Sequence, residues 1–295
     1  MKKFLSCLLM AAMVTTLCAC GSSGSSAAAS GEAESGSSSA AASETTAEAS
    51  NRLEEILAAG KITMATSPDY PPYEFEDLTK TGQDAYVGAD IELAKYIAQE
   101  LGVELEIKPM TFDAMLAAVG EGSVDFALAG MTAKEERKTS MDFTTPYYVE
   151  GDQVVVVRAD RASEFTTQES LQTAALAAQN GSHQYDVLVN VFPDAEQTPV
   201  NQITDGILMV MEGKVDGLIL PAAPAETYIS SYPDLVIAEA TITGFNGQDI
   251  CAAVVKDEPE LLEAISAVTT KVNEEGLFYT WLDEANALSQ SMQQQ

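Results

Sequence analysis

The chain has 295 residues, of which 46% are hydrophobic and 20% charged, and its formal net charge is −30. This length supports a sizeable core and lies between one large domain and two small ones. Because a surface this acidic repels phosphate backbones and anionic lipid headgroups, no nucleic-acid partner is expected.

The N-terminal residues have the pattern of an export signal. Lys2 and Lys3 precede an apolar run at 4–14, which is too short to span a bilayer as a helix. The run ends in LCACG at 17–21, which resembles a bacterial lipobox. This resemblance implies a lipoprotein signal peptide at 1–19 and lipidation of Cys20. The alternative is a plain secretory signal that is cut after a small residue.

A low-complexity segment follows the signal. Residues 21–50 are almost entirely Ser, Ala, Gly, Glu and Thr and include no aromatic residue. We therefore interpret 20–50 as the lipidated Cys20 and a flexible linker. Past this linker Cys251 is the one cysteine, which excludes an intramolecular disulfide in the folded part. Its apolar neighbours predict a small buried side chain.

From residue 51 onward, strand and helix patterns alternate along the chain. Alternating and β-branched runs predict strands at 61–66, 103–107, 124–129, 154–157, 173–178, 215–220, 235–238 and 250–255. Helical periodicity and capping residues predict helices at 90–101, 111–119, 132–137, 182–191, 205–211, 224–231 and 259–275, with a last short helix around Trp281. Such alternation predicts parallel sheets covered by helices.

Two segments share one plan. EGSVDFALAG at 121–130 and EGKVDGLILP at 212–221 each combine the end of a helix, a glycine, Val-Asp and an apolar strand. This similarity is too short for a true repeat, and we interpret it as a sign of two similar α/β lobes.

Five segments, in this order and at this spacing, carry a family resemblance. They are TSPDYPPYEFE at 66–76, VGADIELAKYIAQELG at 87–102, FDAMLAAVGEGSVDFALAGMTAKEERK at 112–138, MDFTTPYY at 141–148 and GKVDGLIL at 213–220. Over about 52–285 the chain resembles the bacterial extracellular solute-binding proteins of family 3, the polar amino-acid class.

The resemblance implies an α/β periplasmic-binding-protein fold of type II. Each of two lobes would be a mostly parallel sheet flanked by helices, with a two-strand hinge and a ligand cleft between the lobes. We expect lobe 1 at 51–152 and 246–295, and lobe 2 at 153–245.

The resemblance also implies a function. The chain would be the substrate-binding component of an ABC importer, a monomer outside the cytoplasm that is lipid-anchored to the cell membrane. It would capture an amino acid or related small carboxylate by lobe closure and deliver it to an ABC permease. No catalysis, cofactor or metal is expected. Two alternatives stay open: an enzyme similar to cyclohexadienyl dehydratase on the same scaffold, or a ligand-sensing module for a membrane receptor.

An amino-acid ligand brings a carboxylate and an ammonium, and burying either is costly unless it is paired. Arg137 can grip a carboxylate through two parallel hydrogen bonds. From spacing alone Arg137 fits a solvated charge beside Glu135 and Glu136 equally well. The resemblance of MTAKEER at 131–137 implies the carboxylate-binding role.

Four further positions match family ligand contacts in the first lobe. Gly130 offers a carbonyl for an ammonium, and Thr132, expected at a helix start, offers its N–H and hydroxyl to a carboxylate. Tyr70 and Phe112 resemble the two aromatic positions that flank the ligand side chain. From the residues alone, a cap, a turn and ordinary core positions would explain them too.

In the second lobe, Gly181, Ser182 and His183 occupy the position where the family usually has Gly-Ser-Thr or Gly-Thr-Thr. Backbone N–H groups at this helix start would hold the ligand, and His183 could make binding depend on pH. Ser67 and Pro221 depart from the family, which commonly has acids at both positions to hold the ammonium.

The two missing acids leave the ligand open. Glu226, Asp249 or Asp69 could replace them, or the ligand lacks a simple α-ammonium group.

Overall fold

The computed structural model describes residues 51–245 and 247–292. The expected signal at 1–19, Cys20 and the linker to residue 50 lie outside the described residues. Within the described ranges, no helix is long and apolar enough to cross a membrane.

The described strands and helices alternate along most of the chain. The strands are β1 (Lys61–Thr66), β2 (Asp69–Tyr70), β3 (Glu74–Glu76), β4 (Tyr86–Val87), β5 (Glu104–Pro109), β6 (Phe126–Ala127), β7 (Met141–Phe143), β8 (Tyr148–Val149), β9 (Gln153–Arg158), β10 (Ala175–Gln179), β11 (Glu196–Val200), β12 (Gly217–Pro221), β13 (Leu235–Ile237), β14 (Asp249–Ile250) and β15 (Ala253–Val255). The α-helices are α1 (Arg52–Ala59), α2 (Ala89–Leu101), α3 (Phe112–Gly120), α4 (His183–Val191), α5 (Ile203–Met211), α6 (Ala222–Ser231), α7 (Pro259–Glu275) and α8 (Leu277–Met292).

Two five-stranded sheets organise the fold. The first has the order β5-β1-β6-β15-β7, and the second β11-β10-β12-β9-β13. In each sheet one strand is antiparallel to both of its neighbours, β15 in the first and β9 in the second. The remaining neighbours are parallel. The predicted class, two α/β lobes with mostly parallel sheets, is confirmed; we call them the first and second lobes.

Two chain segments join the sheets, one from β7 to β9 and the other from β13 to β15. Within them β8 and β14 pair with each other as an antiparallel two-stranded ribbon. This ribbon is the two-strand hinge that the family implies. All strands of the second sheet lie within 153–237, while the lobe limits at 152/153 and 245/246 stay a prediction.

Local signals fix the helices that pack on the sheets. In α2 the side chains of Ile91 and Ile97 are fully buried, and Gly102 ends the helix in the left-handed conformation. In α7 a proline begins the helix and Gly276 ends it in the same conformation. Cys251 is a free, buried thiol, as predicted.

The predicted helix at 132–137 is wrong. Thr132 forms an antiparallel β-bridge with Ile250, and the segment then makes one short 3-10 turn at Arg137–Thr139. Thr132 thus pairs with a strand, and the residues that follow it form no α-helix. Its partner lies in the returning hinge strand, far along the chain, which local sequence cannot reveal.

Other elements differ as well, and the single strand predicted at 250–255 divides into β14 and β15. The strand at 124–129 shrinks to β6, because only its two residues pair with β1 and β15. The last helix, predicted short, is the 16-residue α8, and the sequence reading missed α1.

Candidate functional site

A small cavity between the two lobes collects all seven predicted contact residues. Its lining is Tyr70, Phe112, Ala129, Gly130, Met131, Thr132, Arg137, Glu150, Gln179, Ser182, His183 and Gln184. Its volume is about 10 Å³, roughly the space that one water molecule needs. The two lobes therefore nearly fill the site with their own atoms.

Arg137 dominates this cavity. The residue is buried, with only 7% of its surface exposed. Nη1 donates to the Thr132 carbonyl at 2.9 Å, and Nη2 reaches the second lobe, where it donates to the Gly181 carbonyl at 2.7 Å. Burial lowers the pKa of the guanidinium to about 10. A buried cation whose described direct partners are neutral carbonyls is a strong binding point for an anion.

The carboxylates that act on Arg137 are engaged elsewhere. Asp186 and Glu136 raise its pKa through their charge, yet both pair with Lys134, at 2.5 Å and 3.6 Å. Lys134 Nζ also donates to the Ser182 carbonyl at 3.0 Å. This lysine therefore links the first lobe to α4 of the second.

Two aromatic rings form one wall of the cavity. The Arg137 Cζ lies 5.4 Å from the Phe112 ring centroid, a cation–π distance. Tyr70 stacks on Tyr73 with their centroids 5.4 Å apart. Gly130 adopts φ +50°, and a Cβ there would lie 2.8 Å from Tyr70 Cε1, so the wall needs glycine at this position.

Below Gly130 lies a buried acidic group. The Gly130 N–H donates to Asp90 Oδ2 at 2.9 Å, and the Tyr147 hydroxyl donates to Oδ1 at 2.8 Å. Burial raises the pKa of Asp90 to about 6 although both donors lower it. Burial also raises the pKa of Glu74 well above its ordinary value, and the negative charge of Asp90 adds to this effect.

The second lobe contributes the start of α4. The Ser182 hydroxyl caps the helix by accepting from the Tyr185 N–H at 3.1 Å. His183 follows, and burial lowers its pKa, which favours the neutral imidazole. Neither the His183 Nε2 nor the Thr132 hydroxyl has a hydrogen-bond partner among the described residues, and both are buried.

None of the three acids considered as replacements at Ser67 and Pro221 lines the cavity. Glu226 and Asp249 are exposed. Asp69 is buried, but its Oδ1 accepts from the Ser67 hydroxyl at 3.0 Å and its Oδ2 accepts from the Ile203 N–H at 2.6 Å. Asp69 thus caps α5 and links the two lobes.

Sequence reasoning missed three polar residues of the lining. Glu150, Gln179 and Gln184 are all buried, and Glu150 lies in the hinge segment between β8 and β9. The available signal for Glu150 was an acid close to the predicted lobe limit, four residues before the run of valines at 154–157. Its burial depends on residues distant in sequence, so local pattern could not reveal it.

A larger cavity of about 540 Å³ lies on the first lobe. Trp281, Glu284 and Leu288 of α8 line it together with Glu92 and Lys95 of α2. It contains none of the predicted contact residues, and Lys95 and Glu92 pair with each other at 2.7 Å.

Comparison with known proteins identifies the family. Residues 62–284 match the model of the bacterial extracellular solute-binding proteins, family 3, and the chain belongs to that family. Such proteins are extracytoplasmic receptors for small solutes. The arginine-binding extracellular protein ArtP of Bacillus subtilis is 31% identical over 177 residues, which cover 59% of this chain and 66% of ArtP.

Solved structures share the fold. An amino acid ABC transporter substrate-binding protein from Streptococcus pneumoniae, bound to L-arginine, is 33% identical with a TM-score of 0.76, covering 81% of this chain and 98% of that one. The ancestral amino acid-binding protein AncCDT-1, a precursor of cyclohexadienyl dehydratase, is 27% identical with a TM-score of 0.70, covering 80% and 99%.

The buried Glu150 predicts how stability depends on pH. Its pKa is about 8 in the folded protein against an ordinary value of 4.5, chiefly because of burial. Between these values the native state binds more protons than the unfolded state, so Glu150 lowers the free energy of unfolding as pH rises from about 4.5 to 8. Glu150→Gln should reduce this slope by up to about 1.4 kcal/mol per pH unit.

Urea unfolding between pH 4 and pH 9 measures the effect. The variant should be the more stable protein at pH 8 and above, and Glu274→Gln, at an exposed position of α7, serves as the matched control. Equal slopes for wild type and Glu150→Gln would show that the carboxyl group is not held protonated.

Proposed function

We propose that this protein captures L-arginine or a closely related amino acid outside the cell and delivers it to an ABC importer. Substrate capture for such importers is the function of its family and of its amino-acid-binding relatives. The observation that supports a ligand with a carboxylate is Arg137, a buried guanidinium with carbonyl partners from both lobes.

The mechanism follows from the cross-lobe contact of Arg137. Small-molecule pockets usually measure about 300–1,000 Å³, far more than the cavity between the lobes, so the ligand requires the lobes to part. Parting breaks the bond from Nη2 to the Gly181 carbonyl, and the ligand carboxylate takes that place with a stronger, charge-assisted hydrogen bond. Closure then brings Ser182 and His183 against the ligand.

The aromatic and polar residues of the cavity would make the remaining contacts with the ligand. Tyr70 and Phe112 supply flat apolar area for the ligand side chain. The Thr132 hydroxyl, which is buried and without a described partner, donates to the carboxylate. His183 contributes its ring at the second-lobe side of the ligand.

We further propose that Cys20 carries the lipid anchor, that the protein acts as a monomer, and that an ABC permease is its membrane partner. The LCACG run supports the anchor, and the family supports the permease. The expected lobe limits follow β8 at 152/153 and precede β14 at 245/246, so both chain crossings would lie at the second-lobe end of the ribbon.

A dehydratase activity is a second candidate, because Glu150 supplies a buried carboxyl group whose pKa is raised to about 8. Such an acid could protonate a leaving hydroxyl group. Incubation with prephenate and with arogenate tests this directly. A receptor leaves both unchanged, and formation of a dehydrated, decarboxylated product would favour the enzyme.

Arg137→Ala should abolish most arginine binding and leave the fold intact. Loss of a buried charged partner costs about 2–5 kcal/mol, so affinity should fall at least roughly 30-fold. Isothermal titration calorimetry measures this, with circular dichroism to check the fold. Lys138→Ala is the control, since Lys138 is exposed and pairs with Glu135. Wild-type affinity in Arg137→Ala would contradict the proposed role.

Cys20→Ser should move the protein from the membrane fraction to the soluble fraction, because the site of acylation is lost. Fractionation and intact mass of the wild-type protein measure the anchor. Cys251→Ala, which removes a buried thiol, should stay with the membrane. A wild-type protein without acyl mass would rule out the lipoprotein assignment.

A further inference from the structure

Among the described residues, Glu150 is the one acidic side chain that lines the cavity. Binding of a carboxylate by Arg137 does not involve it. Glu150 is 2% exposed. Its Oε2 accepts from Gln153 Nε2 at 3.3 Å, and Gln153 in turn accepts from Gln184 Nε2 at 2.9 Å. The other oxygen, Oε1, is buried without a hydrogen-bond partner among the described residues.

A carboxyl group in this position is costly for folding. Burial raises its pKa to about 8 and the negative charge of Asp90 adds to the rise, while the Gln153 amide and the nearby Tyr70 hydroxyl oppose it. Burial raises the pKa of Tyr70, which shares the cavity wall, and the charges of Glu150 and Glu74 add to this rise. Among the described residues, no lysine or arginine forms an ion pair with Glu150. Features that cost stability persist where they serve a binding site.

Two other acids near the cleft, Asp69 and Asp90, are already engaged, and a third, Glu74, does not line the cavity. Asp69 caps α5 and also receives the Ser67 hydroxyl. Asp90 receives the Gly130 N–H and the Tyr147 hydroxyl. Neither carboxylate lines the cavity. A cationic group that enters the cleft therefore meets the carboxyl group of Glu150, because no other acid among the described residues lines the cavity.

We propose that Glu150 is the counter-charge for a cationic nitrogen of the ligand and replaces the acids missing at Ser67 and Pro221. The cavity would then have two poles, Arg137 for the carboxylate and Glu150 for the cation. This inference rests on the proposed function, capture of an amino acid. The shared chemistry is a nitrogen that carries both positive charge and N–H donors, either an α-ammonium or a side-chain guanidinium.

Pairing also couples binding to a proton. In the free protein Glu150 holds a proton at neutral pH, and a cation beside it favours the ionised form. Binding at pH 7 therefore breaks the Glu150 O–H bond and releases up to about one proton to the buffer. Affinity should rise with pH up to about pH 8 and level off above it. Asp90, Gln153 and Tyr70 act on Glu150, and Glu74, Tyr73 and Tyr148 also interact with its charge. Arg137 and His183 line the same cavity, and burial lowers the pKa of His183, which favours its neutral form.

The experiment compares wild type and Glu150→Gln with three ligands by titration calorimetry. L-arginine carries both cations, L-citrulline lacks the charged guanidinium, and argininic acid has a hydroxyl in place of the α-ammonium. Glu150→Gln should weaken L-arginine by at least about 30-fold. The substitution should reduce the affinity for the analogue that keeps the paired cation by the same factor as for L-arginine. For the analogue that lacks this cation, the affinity should fall by less than roughly threefold. Which analogue escapes identifies the paired nitrogen.

Two controls make the result specific. Glu226→Gln, an exposed glutamate outside the cavity, should bind like wild type. Titration in buffers of different ionisation enthalpy should show proton release for wild type and none for Glu150→Gln.

Equal affinity of wild type and Glu150→Gln for L-arginine would overturn the inference, as would an equal loss for all three ligands. Failure of the proposed function gives a different result. In that case wild type itself binds none of the three ligands, or Arg137→Ala binds L-arginine as wild type does.

Discussion

The site depends on one constraint, the need to satisfy a positive charge that is buried between two lobes. Arg137 is removed from water, and its described hydrogen bonds go to the carbonyls of Thr132 and Gly181. Neutral acceptors compensate a buried cation less well than a carboxylate does. The β-bridge from Thr132 to the hinge strand and the ring of Phe112 fix the guanidinium in place. The geometry is thus prepared for an anion that contacts both lobes.

The same constraint links ligand capture to lobe movement. Polar contacts that join the lobes near the cleft include Arg137 to Gly181, Lys134 to Asp186, and Asp69 to the start of α5. A hydrogen bond that involves a charged group contributes about 1.5–3 kcal/mol net. A ligand that pairs charges at both ends can therefore shift the equilibrium between open and closed states.

Local signals were sufficient for many of the elements. Strand β1 and helix α7 begin and end at the residues predicted from the sequence. Their signals are local: β-branched residues in β1, and a first-turn proline and a left-handed glycine in α7. The seven predicted contact residues all line one cavity. The family resemblance could predict this because it relates residues that are distant in sequence, whereas periodicity describes only neighbouring residues. The segment after Thr132 failed as a helix because its partner, Ile250, is distant in sequence. Glu150 escaped notice since its burial arises only when the hinge and both lobes come together.

The central claim is that Arg137 and Glu150 form opposite poles of one amino-acid site. A crystal structure of the protein with L-arginine tests both poles at once. The account predicts the ligand carboxylate within about 3 Å of the Arg137 guanidinium and a ligand nitrogen within the same distance of Glu150 Oε1. A ligand bound outside this cavity, or one whose carboxylate faces away from Arg137, would contradict it.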